Sequence, residues 1–550
     1  MTSDITTDPH PAAAHGPTDA VGAPELERNL ISRVNVGDML TRTAARHPDN
    51  EAIVEGSRRY TYRDLDDRVN QLANGLLERG YRRGDRLGLV SGNTAEFLMT
   101  YYACAKLGVG CVPVNLGWRA HEAAYVLGHS RARGVVVVGD QLDYLAEVLG
   151  HPDSAGVGEV IVGGADAEAA ARVCGGRDVV GFDAVAGSSS VPAVIVEDRD
   201  PLQYLYTSGT TARPKGAVGS HLAIYLNSLG LCVDWEFRPG DRIVSMMPLF
   251  HTAQLNLFST PAIAVGATIL LEPGFDSERI LSLIEDERGT VIFALPMMYR
   301  QMLATPGVDK RALASLRLAV YGMAPMSDEQ LRQAMKIFGC DFSLMFGQTE
   351  MGPVTTIFRP EHQLTHPGSV GTPSINTQVA IMNGAGELLG TGQSGEIVYR
   401  SPQVMNEYLE NPAATADAFR FGWFHSGDIG HFDDDGLLWF EDRSKDIIKT
   451  GGENVASIEV EKAIYAISPD ITQIAVVGLP HEHWSEAITA FVVLRSGATL
   501  SEQQILVEAR TRLDGFKAPK RVVLVEDLPM TSTGKIQKNV LRESHASLYQ

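Results

Sequence analysis

The chain has 550 residues, with 47 Lys plus Arg against 67 Asp plus Glu and a formal net charge of −20. That balance excludes a non-specific nucleic-acid binder and a protein held on anionic membranes, because both need a basic surface; a small polyanion needs only a locally positive cleft. Hydrophobic residues at 44% and charged residues at 21% describe a folded chain and exclude global disorder. Five cysteines (Cys104, Cys111, Cys174, Cys232, Cys340) are scattered and form no C-x-x-C pair, which argues against a disulfide framework and a thiolate zinc site.

Met1 to Arg28 is rich in Ala, Pro, Thr, Asp and Gly, with no basic start and no apolar core, and reads as a disordered tail rather than a signal peptide. Gly84-Asp85-Arg86 then leads into an apolar run to Val90. Asn93 or Thr94 can cap a helix ending near Gly108, and Cys111 to Val114 follows as a strand. Gly240-Asp241-Arg242 repeats the plan through Ile243 to Met247, a helix-like stretch to Ile263, Gly266, and a strand over Thr268 to Leu271. Both segments read as β-α-β units of parallel sheets, and the apolar runs Val135 to Val138 and Val160 to Val162 fit strands buried on both faces. The longest apolar stretch, Ala262 to Leu271, is about half of what a bilayer requires, so the chain reads as soluble and cytoplasmic. After about Gly352 short strand-like pieces (Gln378–Met382, Glu396–Tyr399, Leu437–Glu441) suggest a small β-barrel or sandwich. The segment after Arg443 alternates strands (Ile474–Val477, Ile488–Leu494, Val522–Val525) with helices (Ile458–Ile467, Glu502–Leu513), as a compact α+β domain would.

The stretch Tyr206-Thr207-Ser208-Gly209-Thr210-Thr211-Ala212-Arg213-Pro214-Lys215-Gly216 offers hydroxyls, backbone N–H groups and one Lys, which is what a polyphosphate needs. It is not a Walker loop, since Pro214 precedes Lys215; as a bare polar loop it would link a strand to a helix. Downstream stand Phe346-Gly347-Gln348-Thr349-Glu350, Gly422 to Asp428 (Gly-Trp-Phe-His-Ser-Gly-Asp), Asp442 to Asn454, and Pro529 to Ile536 with Thr533-Gly534-Lys535. Two other signals dissolve. Asp433-Asp434-Asp435-Gly436, with Gly436 at position six of a calcium loop, puts His431 at position one and Asp442 at twelve, where Asp and usually Glu are needed, and so reads as a hairpin turn; His481-Glu482-His483 lacks zinc-protease spacing.

In this order the four motifs resemble the adenylate-forming superfamily of acyl-CoA synthetases, peptide-synthetase adenylation domains and luciferases, from roughly Leu30 to Arg542. The resemblance implies an α/β fold: a large N-terminal domain (29–443) of two related α/β subdomains plus a small β-barrel, then a small mobile α+β C-terminal domain (444–550). It implies an ATP-dependent ligase that makes an acyl adenylate and pyrophosphate, then passes the acyl group to coenzyme A. Its ligands would be ATP, Mg²⁺, CoA and a carboxylic acid, with no nucleic acid and no integral membrane; a homodimer stays open. Thr207, Ser208, Gly209, Thr210, Thr211 and Lys215 would hold the β- and γ-phosphates. Thr349 would meet the α-phosphate, and Glu350, with Thr207, would hold Mg²⁺. Phe346 would stack on adenine, within the motif that includes Gly347 and Gln348, and Met323, Ala324 and Pro325 would line the other face. Asp428 would accept the ribose hydroxyls with Arg443 nearby. Lys535 would bridge the carboxylate and the α-phosphate, and His251 would stand at the acid-pocket entrance. Lys445 would be the hinge, and Lys449 and Gly452 would belong to the thioester-forming face, where Gly452 leaves room for pantetheine. Lys517, Lys520 and Arg521 would supply a positive patch or a plain solvated face.

The sequence departs from the family pattern at Ala212 (usually Gly), Phe346 (commonly Tyr) and Gln254 (often Gly). By the resemblance, the last would alter the acid pocket. Met297, Met298, Met323, Met326, Met345 and Met351, beside His251, Leu255 and Asn256, would wall that pocket and suit a bulky hydrophobic acid; as a group they would equally fill the core between subdomains. No Asp after Phe250 is placed for an α-amino group, which disfavours amino acids. Two other functions remain: an acyl-AMP ligase that loads a carrier protein, and a nucleotide-binding protein of this fold without turnover.

Overall fold

A computed structural model describes residues 25–164, 167–207, 213–323, 326–530 and 536–549. Glu25–Arg28, expected within a disordered tail, instead form the first turn of a helix, Glu25–Ser32; the rest of that tail lies outside the described residues.

Both β-α-β units form as parallel pairs. The strand Arg86–Val90 pairs with Gly110–Pro113, and Arg242–Ser245 with Thr268–Leu271. Between the first two strands runs the helix Ala95–Leu107. The Thr94 hydroxyl caps it by accepting the Phe97 N–H at 3.2 Å, and Gly108 (φ 64°) ends it. Every residue of that helix except Glu96 is buried, which is why its sequence is apolar all round rather than striped.

The second unit differs from a plain helix. Thr252–Gln254 is α-helical, Leu255–Ser259 is a π-helical turn, and Thr260–Val265 returns to α before Gly266 (φ 88°) closes it. Pro261 in the first turn of the last piece has no N–H to give an i−4 carbonyl, so the ladder is interrupted beside it.

Each unit belongs to its own large sheet. The first has nine strands, in the order Thr372–Pro373, Val354–Phe358, Asp341–Gly347, Leu318–Tyr321, Val291–Ala294, Arg242–Ser245, Thr268–Leu271, Glu51–Glu55, Arg58–Thr61. The second has eight: Glu407–Tyr408, Lys215–Ser220, Pro201–Thr207, Gly110–Pro113, Arg86–Val90, Gly134–Val138, Glu159–Gly163, Asp178–Gly181. One apolar core joins the two sheets, with Leu87, Leu89 and Cys111 from one and Ile243, Ile269 and Phe293 from the other.

The region expected as a small barrel or sandwich is a four-stranded antiparallel sheet: Gln378–Met382, Gly395–Arg400, Phe424–Phe432, Leu438–Arg443. Asp433–Gly436 forms its expected hairpin turn, the Asp433 N–H donating to the Leu437 carbonyl and the Gly436 N–H to the Asp433 carbonyl. The C-terminal sheet orders Glu453–Val455, Ile448–Thr450, Ser485–Leu494 and Ile471–His481, with Arg521–Leu524 parallel to Ser485–Leu494; its helices are Ser457–Tyr465, Glu502–Arg512 and Lys538–Ser544. All five cysteines are free. Among the described residues no helix is long and apolar enough to cross a membrane, and no cluster of three His, Cys, Asp or Glu can hold a metal.

Candidate active site

The phosphate-loop segment is a hairpin rather than a strand-to-helix link. Thr207 ends the strand Pro201–Thr207, and Lys215 opens its antiparallel partner Lys215–Ser220, with Thr207 and Lys215 directly opposite. Thr207 and Lys215, the two site residues that flank the loop, are therefore fixed by strand register. Ser208, Gly209, Thr210 and Thr211 lie outside the described residues, as do Ala324, Pro325 and Lys535.

The strand Asp341–Gly347 carries Phe346 at its end. There the chain turns through Gln348 into a 3₁₀ turn, Thr349–Met351, which presents Thr349 and buries the Glu350 side chain to 9% exposure. Gly347 makes that turn possible. Its φ is 153°, and a Cβ there would sit 2.1 Å from the Pro353 carbonyl oxygen. Gln348 Nε2 is a buried donor without a partner among the described residues, as a group awaiting a ligand oxygen would be.

The segment after Gln403 straps these pieces together. The Gln403 amide donates to the carbonyls of Met351 (2.9 Å) and Val354 (2.6 Å), and the Met405 N–H donates to the Glu350 carbonyl (2.7 Å). Glu407–Tyr408 then pairs with Lys215–Ser220 at Val218 and Ala217. The Tyr408 hydroxyl donates to Glu350 Oε1 at 2.8 Å, and the Lys215 Nζ lies 5.1 Å from the Tyr408 ring centroid. Burial, then the Glu350 carboxylate, hold the Tyr408 phenol well above its usual pKa, so it stays a donor. Sequence reasoning missed both Gln403 and Tyr408. Nothing local marks them, since their importance comes from where strand pairing carries them.

Phe346 lies against Phe440, ring centroids 5.3 Å apart, and Phe440 belongs to the strand Leu438–Arg443. Two to three residues along the same hairpin, Asp428 and Arg443 face each other in register; Asp428 is buried and its Oδ1 is 3.3 Å from the Arg443 Nε. One apolar cluster underlies the aromatic side chains of this region. Ala217, Met351, Tyr399, Met405, Phe424 and Leu438 form it, and Phe346, Tyr408 and Phe440 pack on it. The structure thus links Lys215, opposite Thr207, to Glu350 through Tyr408, and Phe346 to the strands of Asp428 and Arg443 through Phe440, with Tyr408, Phe346 and Phe440 on one apolar cluster.

The remaining residues sit elsewhere. Met323 follows the strand Leu318–Tyr321 in a left-handed conformation (φ 68°), unusual for a side chain of its size and hence a local strain beside the site. His251 precedes the helical turn Thr252–Gln254, and its Nδ1 accepts the Ala253 N–H at 3.2 Å. Lys449 and Gly452 lie on the hairpin Ile448–Thr450/Glu453–Val455 of the C-terminal sheet. A Cβ on Gly452 would meet no atom within 4 Å in this arrangement; what demands glycine here is its φ of 91°. Lys445, in the link between the strands Leu438–Arg443 and Ile448–Thr450, is exposed, yet desolvation by its surroundings holds its ammonium below the usual lysine pKa. Lys517 is no free patch residue, being paired with Glu459 at 2.8 Å and Asp514 at 3.5 Å.

The methionine wall expected for the acid pocket is only partly there. Met351 is fully buried in the cluster beneath the nucleotide group, Met345 is buried in the main core, and Met297 is 47% exposed. Met298, Met323 and Met326 remain as partly buried candidates. Asn256 is spent on an internal network: its Oδ1 accepts from the Gln203 Nε2 (3.0 Å) and the Thr252 hydroxyl (2.8 Å). Gln254 is fully buried, with Oε1 taking the Met247 N–H at 3.3 Å and Nε2 unpartnered among the described residues.

Comparison with known proteins gives the same picture. The model for "AMP-binding enzyme" matches residues 40–409, and that for "AMP-binding enzyme C-terminal domain" matches 459–535. A feruloyl-CoA synthase of an Amycolatopsis species is 34% identical over 92% of this chain and 98% of its own length. A long-chain-fatty-acid–CoA ligase of Mycobacterium tuberculosis is 34% identical over 93% of this chain and 99% of its own. ATP-bound MatB from Rhodopseudomonas palustris superposes with a TM-score of 0.82 at 30% identity, covering 94% of this chain and all of that one. The chain therefore belongs to the AMP-binding enzyme family, as an adenylate-forming enzyme of the acyl-CoA-synthetase type.

Proposed function

We propose that the enzyme is an ATP-dependent acid–CoA ligase that activates a hydrophobic carboxylic acid of medium to large size. The observation that supports this reading is a set of links over one apolar cluster: Tyr408 joins Lys215 to Glu350, and Phe346 packs on Phe440, whose strand carries Arg443 opposite Asp428. A carboxylate is a poor acyl electrophile because an oxide would have to leave. Attack on the α-phosphate of ATP replaces that leaving group with AMP, and the CoA thiol then takes the acyl group as a thioester. Negative charge gathers in both steps, so catalysis is electrostatic and positional.

In this reading Phe346 stacks on adenine and Asp428 accepts the ribose hydroxyls, held by Arg443. Thr207, the hairpin loop and Lys215 orient the pyrophosphate that leaves, and Thr349 contacts the α-phosphate. Lys535 meets the carboxylate and α-phosphate from the C-terminal domain, which turns about Lys445 to bring Lys449 and Gly452 up for thioester formation. The donor set fits Mg²⁺: a single buried carboxylate, Glu350, and the Thr207 hydroxyl suit a hard cation that takes most of its ligands from phosphate and water. When bound, Mg²⁺ supplies charge neutralisation on the phosphates.

Met298, Met323 and Met326 support a bulky apolar acid. So do the feruloyl-CoA synthase, the long-chain-fatty-acid–CoA ligase and an indoleacetate–CoA ligase of Aromatoleum aromaticum among the relatives. The test is incubation with ATP, Mg²⁺ and a panel of acids, with CoA or a phosphopantetheinyl carrier protein as acceptor. Acyl-CoA and AMP in equal amounts bear the reading out. Acyl-AMP that accumulates with CoA but discharges onto the carrier would reassign the acceptor.

A further inference from the structure

We propose that Tyr408 is a positioning residue of the nucleotide site: its hydroxyl fixes one oxygen of Glu350 so that the other faces the metal–phosphate group, while its ring holds Lys215. The inference rests on the assignment of Glu350 and Lys215 to that site, and the geometry carries it from there. Tyr408 is the side chain on which two distant segments converge, one through a hydrogen bond of 2.8 Å to Glu350 Oε1 and the other through the Lys215 ammonium 5.1 Å from its ring centroid.

Its place is set by backbone on both sides. Residue 408 pairs with Ala217, two positions from Lys215, and the next residue donates its N–H to the Gly216 carbonyl at 2.8 Å. The Met405 N–H holds the Glu350 carbonyl, and the Tyr408 N–H donates to the Thr415 hydroxyl at 3.0 Å. The phenol thus has little freedom to follow Glu350 if the carboxylate moves. A carboxylate with one oxygen engaged and one open is a one-point ligand, which suits a cation that keeps water and phosphate in its remaining positions. The ring, for its part, keeps the Lys215 ammonium away from the Glu350 carboxylate, where direct pairing would neutralise both groups. Tyr408 acts through these neighbours, so its signature is in ligand binding rather than in chemistry.

The experiment is calorimetric titration of the full chain with ATP in Mg²⁺, ATP in EDTA, and AMP, with thermal midpoints recorded for every variant. In wild type, Mg²⁺ should tighten ATP binding. Tyr408→Phe, which keeps the ring, should reduce that metal-dependent gain about tenfold, the worth of one hydrogen bond to a charged group, and leave AMP affinity unchanged. Tyr408→Leu should in addition weaken ATP in EDTA, because Lys215 loses its support. In a Glu350→Gln background, Tyr408→Phe should have no further effect. A Tyr408→Phe enzyme with the wild-type metal gain, or effects that simply add in the double variant, would overturn the proposal. No metal gain in wild type would overturn the nucleotide-site assignment itself, before any variant is compared.

Discussion

Gly347→Ala tests whether the Phe346–Glu350 turn is as constrained as its backbone indicates. A Cβ at this position would lie 2.1 Å from the Pro353 carbonyl oxygen and 2.9 Å from the Thr355 nitrogen, both backbone atoms that cannot rotate away. Reaching even 3.0 Å from the oxygen requires a displacement of ~0.9 Å, at a φ of 153° that side-chain-bearing residues rarely adopt. Overpacking of this kind costs about 1–3 kcal/mol of stability. The larger consequence is local. The turn places Thr349 and Glu350, and a shift near 1 Å in a catalytic group costs on the order of 100-fold in rate. We expect acid-dependent ATP–pyrophosphate exchange to fall by that factor while the thermal midpoint drops only modestly. Exchange at the wild-type rate with an unchanged midpoint would refute the claim that this glycine is dictated by close approach.

Lys535→Ala should abolish adenylation yet leave thioester formation from a pre-made acyl adenylate largely intact; equal loss of both half-reactions in a folded variant would refute the division of labour. Lys445→Pro, which fixes φ at the hinge, should spare pyrophosphate exchange and slow the thioester step, and equal loss in both would remove the hinge assignment. His221 is fully buried, its Nδ1 accepting the Val36 N–H, and desolvation pushes its pKa down to about 4 against Asp200 and Asp38, which raise it, with Arg33 adding to the lowering. The folded pKa lies below the unfolded one of about 6.5, so the contribution is complete above that pH and is lost as pH falls toward 4. At about pH 5 this amounts to roughly 2 kcal/mol. Unfolding midpoints measured near neutrality and near pH 5 should therefore converge between His221→Gln and wild type, and parallel pH profiles would contradict this.

The sequence made the local elements legible where local physics decides them. The helix Ala95–Leu107 announced itself by Thr94 and Gly108, and the strand Gln378–Met382 by its spacing between turns. What pairs with what was not legible. Glu51–Glu55 joins Thr268–Leu271 across more than two hundred residues, and no pattern within either strand encodes that choice. The π-helical turn at Leu255–Ser259 likewise looks like ordinary helix in periodicity. The site followed the same division. The motif residues stood out by their order along the chain and its resemblance to a family, but Tyr408 and Gln403 act through strand register and backbone carbonyls, which leave no mark in composition. Met351 misled the pocket reading because a methionine near a motif can face the site or the support beneath it, and only the fold decides.

Acid-dependent exchange of labelled pyrophosphate into ATP measures, without any acceptor, the joining of a hydrophobic acid to AMP in this cleft. Medium and large aliphatic or aromatic acids should drive exchange at least roughly tenfold better in kcat/KM than acetate, since two further buried methylenes contribute about 1.6 kcal/mol. A preference for acetate or for an amino acid, or exchange that no acid stimulates, would contradict the account.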